Sequence, residues 1–146
     1  MNTIEIKNNI IHYISNYQTM HKDKSWTLDI SCIKVIGFIN RMDGDDDSDF
    51  IVLVDKNLKK YFITITKRIK GFEILTKHLT KIFKIEINKS DTGIIDDEKI
   101  VFPKCLSRVS LYKKSLRKKI RLLVSVDHVA DGELSQEVIN HLKMKS

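Results

Sequence analysis

Five carboxylates, Asp43, Asp45, Asp46, Asp47 and Asp49, fall within seven residues and form the densest group of potential metal ligands in the chain. Their D-x-D-x-D opening matches the start of a calcium loop, which needs Gly at its sixth position and a bidentate Glu at its twelfth. Ser48 and Val54 stand at those positions, so the loop cannot close around an ion. A solvated acidic loop that keeps a strand edge from pairing with other chains is the expectation instead. His12, His21, His78, His128 and His141 make no ligand pair at helical spacing. His78 stands beside Leu75, Leu79 and Ile82 and is expected to be a partly buried structural residue. Cys32 lies in an apolar stretch, where a thiol serves as a small hydrophobe. A Cys32 or Cys105 nucleophile paired with a distant His stays open. The five glycines are scattered singly, which leaves no raw material for a phosphate-cradling loop.

The same acidic stretch imitates a second signature. Ser48-Asp49-Phe50-Ile51-Val52-Leu53-Val54 resembles the metal-binding strand of nucleotidyltransferases, where carboxylates two residues apart point the same way and share a metal. Ile51 occupies the place of the second carboxylate, and no Gly-Ser pair precedes the cluster. No catalytic residue, metal site or cofactor is therefore expected.

The strongest feature is the run from Lys104 to Arg121, which holds eight cations and no acid. On a helix, Lys114, Lys118 and Arg121 line one face and Val109, Tyr112, Leu116 and Ile120 another. Lys113, Lys114, Arg117, Lys118, Lys119 and Arg121 are the candidate partner-binding residues. Such a helix can neutralise phosphates, lie on anionic lipid or pair with an acidic protein. It can also be only a solvated face. Lys outnumbers Arg 21 to 5 and Ile is the commonest residue, a bias typical of AT-rich genomes that raises Lys without functional demand. Exposed aromatics do not interleave the run, and no helix-turn-helix, RNP or zinc-finger pattern accompanies it.

The elements that would position these groups follow from periodicity. Ile6, Ile10, Tyr13, Ile14 and Tyr17 predict a helix over 3–18, with Asn2 and Glu5 as a capping box. Trp26, Leu28 and Ile30 predict a strand with Trp26 largely buried. Strands over 33–39, 50–54 and 61–66 form a meander, with a turn at 55–60. Phe72, Leu75, Leu79 and Ile82 predict a helix over 71–83. Residues 84–88 alternate like a short strand, and 89–98 are polar. Residues 99–102 are apolar and Pro103 stops them. A third helix is expected over 107–119, with 120–126 open between helix and strand. Asp131 would cap a last helix carrying Leu134, Val138, Ile139 and Leu142.

The 146 residues, 42% of them hydrophobic, fit one globular domain over 1–146. No apolar run approaches the roughly 20 residues that span a bilayer, and no secretory leader is expected at the N-terminus. Two distant cysteines fit reduced thiols in the cytoplasm. Net charge is +7 and uneven. Residues 1–49 carry five basic and eight acidic side chains, and residues 103–146 carry ten and four.

The block from Trp26 to Phe83 joins Ile30, Ile33 and Ile36 to an acidic loop, a strand pair and a helix. Ile100-Val101-Phe102-Pro103 supplies a later strand. Over about half the chain this pattern resembles small bacterial proteins with a pleckstrin-homology-like sheet, some of them immunity-type or interaction modules. The resemblance implies a docking role and carries over no functional residue. The expected fold is α+β, an antiparallel sheet of four to six strands with two to four helices on one face or at its ends. The expected function is a non-enzymatic binding module of protein-interaction or immunity type. The alternative is a nucleic-acid-associated protein using the basic C-terminal helix.

Overall fold

The computed structural model describes residues 2–15, 25–43, 46–65, 69–85, 98–112 and 133–144, with the side chains of 40–43, 46–49 and 98 left aside. The chain begins with a hairpin, not the helix expected over 3–18. Strands β1 (Thr3–Lys7) and β2 (Ile10–Ile14) pair antiparallel from Thr3↔Ile14 to Lys7↔Ile10. The two residues between them, Asn8 and Asn9, have φ of 53° and 65°. Left-handed backbone at both central positions is the twist a two-residue hairpin needs, and Asn tolerates it well. Ile4, Ile11 and Tyr13 are buried while Glu5, Lys7 and Ile14 face out, so the working period is two. β3 (Trp26–Asp29) adds to β2 and completes a three-stranded sheet.

A 3₁₀ turn at Ile30–Cys32 leads into the second sheet. β4 (Ile33–Asp43), β5 (Asp46–Asp55) and β6 (Lys60–Ile65) form the expected meander, and β7 (Glu98–Phe102) joins on the other side of β4 in the order β6-β5-β4-β7. The pairing of β4 with β5 runs out to Asp43↔Asp46, so Asp46, Asp47 and Asp49 belong to strand β5 and not to the acidic loop expected there. The 56–59 turn is held by Asp55. Its Oδ1 accepts from the backbone N–H of Asn57 at 2.8 Å and of Lys59 at 3.0 Å, and its Oδ2 from the Tyr61 hydroxyl at 3.1 Å.

The four-stranded sheet is buried on both faces. Ile36, Phe38, Ile51, Leu53, Ile63 and Ile65 pack with Ile4, Ile11, Tyr13 and Leu28 of the first sheet and with Leu75 and Leu79 of helix α1 (Phe72–Phe83). Val35, Ile39, Phe50, Val52, Val54, Phe62 and Ile100 pack on the opposite side. There they meet Leu106, Leu111, Tyr112 and Leu134, together with Val138 and Leu142 of helix α2 (Gln136–Met144). The result is an α+β fold of antiparallel sheets of three and four strands with a helix in each core. No helix among the described residues is long and apolar enough to cross a membrane.

Two glycines mark close approaches. The Gly71 backbone, at φ 87°, turns the chain into α1, and a Cβ there would lie 2.0 Å from the Ile4 carbonyl oxygen. Beside it, Ile4 N–H donates to Lys70 O at 2.8 Å and Lys70 N–H to Asn2 O at 3.0 Å, tying β1 to the start of the helix. Gly37 lies under Leu111, whose Cδ2 would be 2.7 Å from an added Cβ.

The C-terminal third departs from expectation at its start. Residues 107–112 are turns and bends ending in a single bridge at Tyr112, not the first half of a helix. A 3₁₀ turn at Lys104–Leu106 follows the cis peptide bond Phe102–Pro103. Tyr112 then bridges to Leu134, and Ser135 N–H donates to Leu111 O at 2.8 Å. That pairing draws Leu111 and Tyr112 into the sheet's cover. α2 starts at Gln136, where the Ser135 Oγ accepts from the Val138 N–H at 3.4 Å. Asp131, expected as its cap, lies outside the described residues, as do 86–97, 113–132 and the polar segment 16–24. On α1, Phe72, Leu75 and Leu79 face the core as expected, while Ile82 is 46% exposed and Phe83 takes its place.

Candidate functional site

Five parts of the fold converge on an open cleft of about 520 Å³. The 3₁₀ corner into β4 supplies Ile30, Ser31, Ile33 and Lys34, and the 56–59 turn supplies Lys56. The end of α1 supplies Ile82 and Phe83, the end of β7 Phe102 followed by Pro103, and α2 His141 and Leu142. The walls are apolar. Phe83 and Phe102 meet at a ring-centroid distance of 4.7 Å and an interplanar angle of 57°, within the range of favourable aromatic pairs.

Polar groups gather at the rim. Lys34 and Lys56 are exposed, His141 is half-buried, and no acid lines the cleft among the described residues. The nearby carboxylate of Asp29 is engaged elsewhere. Its Oδ1 accepts from the Ser31 backbone N–H at 2.9 Å and the Ser31 hydroxyl at 2.8 Å, and these bonds hold its carboxyl below the usual carboxylate range. The same two bonds fix the corner that forms one wall. An apolar floor under two exposed ammonium groups suits a ligand that is apolar in the middle and anionic at its edge.

His141 has a neighbour that the sequence did not reveal. The Cys105 Sγ lies 3.9 Å from its Nδ1, across 36 residues of chain. Cys105 is exposed, whereas Cys32 is half-buried against the first core. Spacing alone could not have paired Cys105 with His141, because the contact depends on how α2 docks.

The remaining expected sites fall as follows. His78 is exposed on α1, with Nδ1 2.9 Å from Ile74 O, and is not partly buried as expected. Ile51, in the second-carboxylate position of the nucleotidyltransferase-like stretch, is fully buried in the core. Among the described residues no three His, Cys, Asp or Glu side chains come close enough to hold a metal ion. Lys113, Lys114, Arg117, Lys118, Lys119 and Arg121 lie outside the described residues. Trp26 is half-buried: its indole N–H donates to Phe62 O at 3.0 Å, and its ring lies between Tyr13 and Tyr61 at 5.5 and 5.3 Å. A smaller hollow of about 390 Å³ beside Trp26 is lined by both Glu5 and Lys7, which pair at 3.5 Å, so it carries no charge preference.

No family model, curated protein or solved structure matches the chain.

Proposed function

We propose that the protein is a non-enzymatic binding module of protein-interaction or immunity type. Its cleft receives an apolar segment of a partner protein whose flanking carboxylates meet Lys34 and Lys56. The observation that carries this reading is the cleft itself, with apolar walls, two ammonium groups at the rim and no acid among the described residues that line it. The basic excess of the C-terminal third would draw an acidic partner toward the same molecule by long-range attraction.

The test compares capture from host lysate by the wild-type chain, by Lys34→Glu/Lys56→Glu and by Lys114→Gln/Lys118→Gln/Arg121→Gln. It is paired with calorimetry using a synthetic peptide of two leucines flanked by aspartates. A protein captured by the wild type and lost with the charge reversal at the cleft, together with peptide binding that shows the same loss, supports the proposal. Capture that vanishes after nuclease treatment and in the triple variant, with the cleft variant unaffected, overturns it in favour of nucleic-acid association.

A further inference from the structure

We propose that Cys105 and His141 form a thiol–imidazole pair that undergoes thiol–disulfide exchange, making Cys105 a base-assisted site of mixed-disulfide modification. The inference is independent of what occupies the cleft.

Three observations carry it. The Cys105 Sγ and His141 Nδ1 are 3.9 Å apart, within reach of a sulfur hydrogen bond. The two side chains are also held there by packing. Leu106 and Leu142, the next residue after each, are both buried in the same core, so the turn carrying the thiol and the helix carrying the imidazole are pinned to one apolar cluster. Finally, Cys105 is exposed to solvent and reagent, and His141 lines the cleft beside it. The charged groups on these elements are Lys104 and Arg108 on the turn, and Glu137 and Lys143 on α2. Lys34 and Lys56 line the same cleft as His141. Cations predominate among these residues, which draws anionic disulfides.

The exchange balances without a further reagent. His141 Nδ1, in the tautomer with its proton on Nε2, accepts the Cys105 thiol proton. The thiolate attacks one sulfur of a low-molecular-weight disulfide, the S–S bond of that reagent breaks, and the departing thiolate takes its electron pair and then the proton from the imidazolium. Cys105 ends oxidised in a mixed disulfide, and half of the reagent is reduced to its thiol.

The test uses the full chain with glutathione disulfide and with an aromatic disulfide that releases a coloured thiolate. Cys32→Ser leaves Cys105 to be measured, Cys105→Ser leaves Cys32, and His141→Gln in the Cys32→Ser background removes the base. Cys105 should react about tenfold faster than Cys32 at neutral pH, and His141→Gln should slow it by about tenfold. Mass spectrometry should find the glutathione adduct on Cys105. A His141→Gln rate within twofold of its parent, or faster reaction at Cys32, overturns the proposal. Should His141→Gln fail to fold, the pH–rate profile of Cys32→Ser decides. An inflection in the imidazole range supports the pair, and a single inflection near the ordinary thiol value of about 8.5 refutes it.

Discussion

Replacing Gly71 with Ala tests how β1 is tied to the rest of the molecule. Two penalties can be worked from the geometry. At φ 87° an L-residue is strained by roughly 1–2 kcal/mol relative to Gly. The added Cβ would sit 2.0 Å from Ile4 O and 2.9 Å from Ile4 C, both backbone atoms, so no rotamer can relieve the contact and β1 must move. Moving it breaks the Ile4–Lys70 and Lys70–Asn2 hydrogen bonds, at about 1 kcal/mol each. The expected loss is about 3–4 kcal/mol, a fall in Tm on the order of 10 °C. Urea unfolding followed by far-ultraviolet circular dichroism and by Trp26 fluorescence measures it. Lys70→Ala, at an exposed neighbour that keeps both backbone bonds, serves as control and should change stability by less than about 0.5 kcal/mol. A Gly71→Ala loss below about 1 kcal/mol would falsify this account of the junction.

Gly37→Val should push Leu111 off the four-stranded sheet and cost about 1–3 kcal/mol, with hydrogen exchange rising first over 106–112 and α2; exchange rising first in β1 and β2 would contradict the layering. Thr64 Oγ1 is buried with no hydrogen-bond partner among the described residues, so Thr64→Val should be neutral or stabilising by up to about 1 kcal/mol in chemical denaturation. Burial, and then the Asp55 carboxylate through its hydrogen bond and charge, push the Tyr61 phenol above its ordinary value. The unfolded chain therefore ionises first: the stability Tyr61 contributes is full below about pH 10 and is lost as pH rises through the folded-state value, and Tyr61→Phe should flatten that alkaline decline in a pH series of melts. Trp26 emission should be blue-shifted in the native state and move red in denaturant; emission already at the solvent wavelength would contradict its place between Tyr13 and Tyr61.

Where apolar residues followed one period alone, sequence and structure agree. Phe72, Leu75 and Leu79 could serve only a helix, and the stretch from Ile33 to Ile65 could serve only strands joined by turns. The N-terminal segment satisfied two periods at once. Ile6, Ile10, Tyr13 and Ile14 fit a helical stripe, while Ile4 with Ile6 and Ile11 with Tyr13 fit alternation. The deciding signal was Asn8-Asn9, a pair suited to left-handed backbone at the middle of a segment otherwise rich in β-branched residues. Tyr112 misled for a different reason. Its spacing from Val109 is helical, but its partner is Leu134, and a contact that distant leaves no local trace. The same holds for the candidate site. Its walls come from five parts of the fold, and Cys105 meets His141 only after α2 has packed.

The burial of the four-stranded sheet on both faces has a consequence for strand alignment. In a sheet with one wet face, sliding a strand by one residue exchanges its apolar and polar sides, and that penalty fixes the alignment. Phe50 to Val54 offer no such penalty, because every one of the five side chains is apolar and buried whichever way it points. Hydrophobicity alone leaves neighbouring alignments of β5 nearly degenerate, so the choice must come from the ends and irregularities of the strands. The Asp55 carboxylate clamps one end by gripping Asn57, Lys59 and Tyr61. The irregularities at Ile33/Val35 and Ile36/Gly37 interrupt the otherwise uniform ladder of β4. A polar side chain that looks like ordinary turn chemistry thus acts as the reading-frame marker for a strand whose own residues cannot tell one frame from the next.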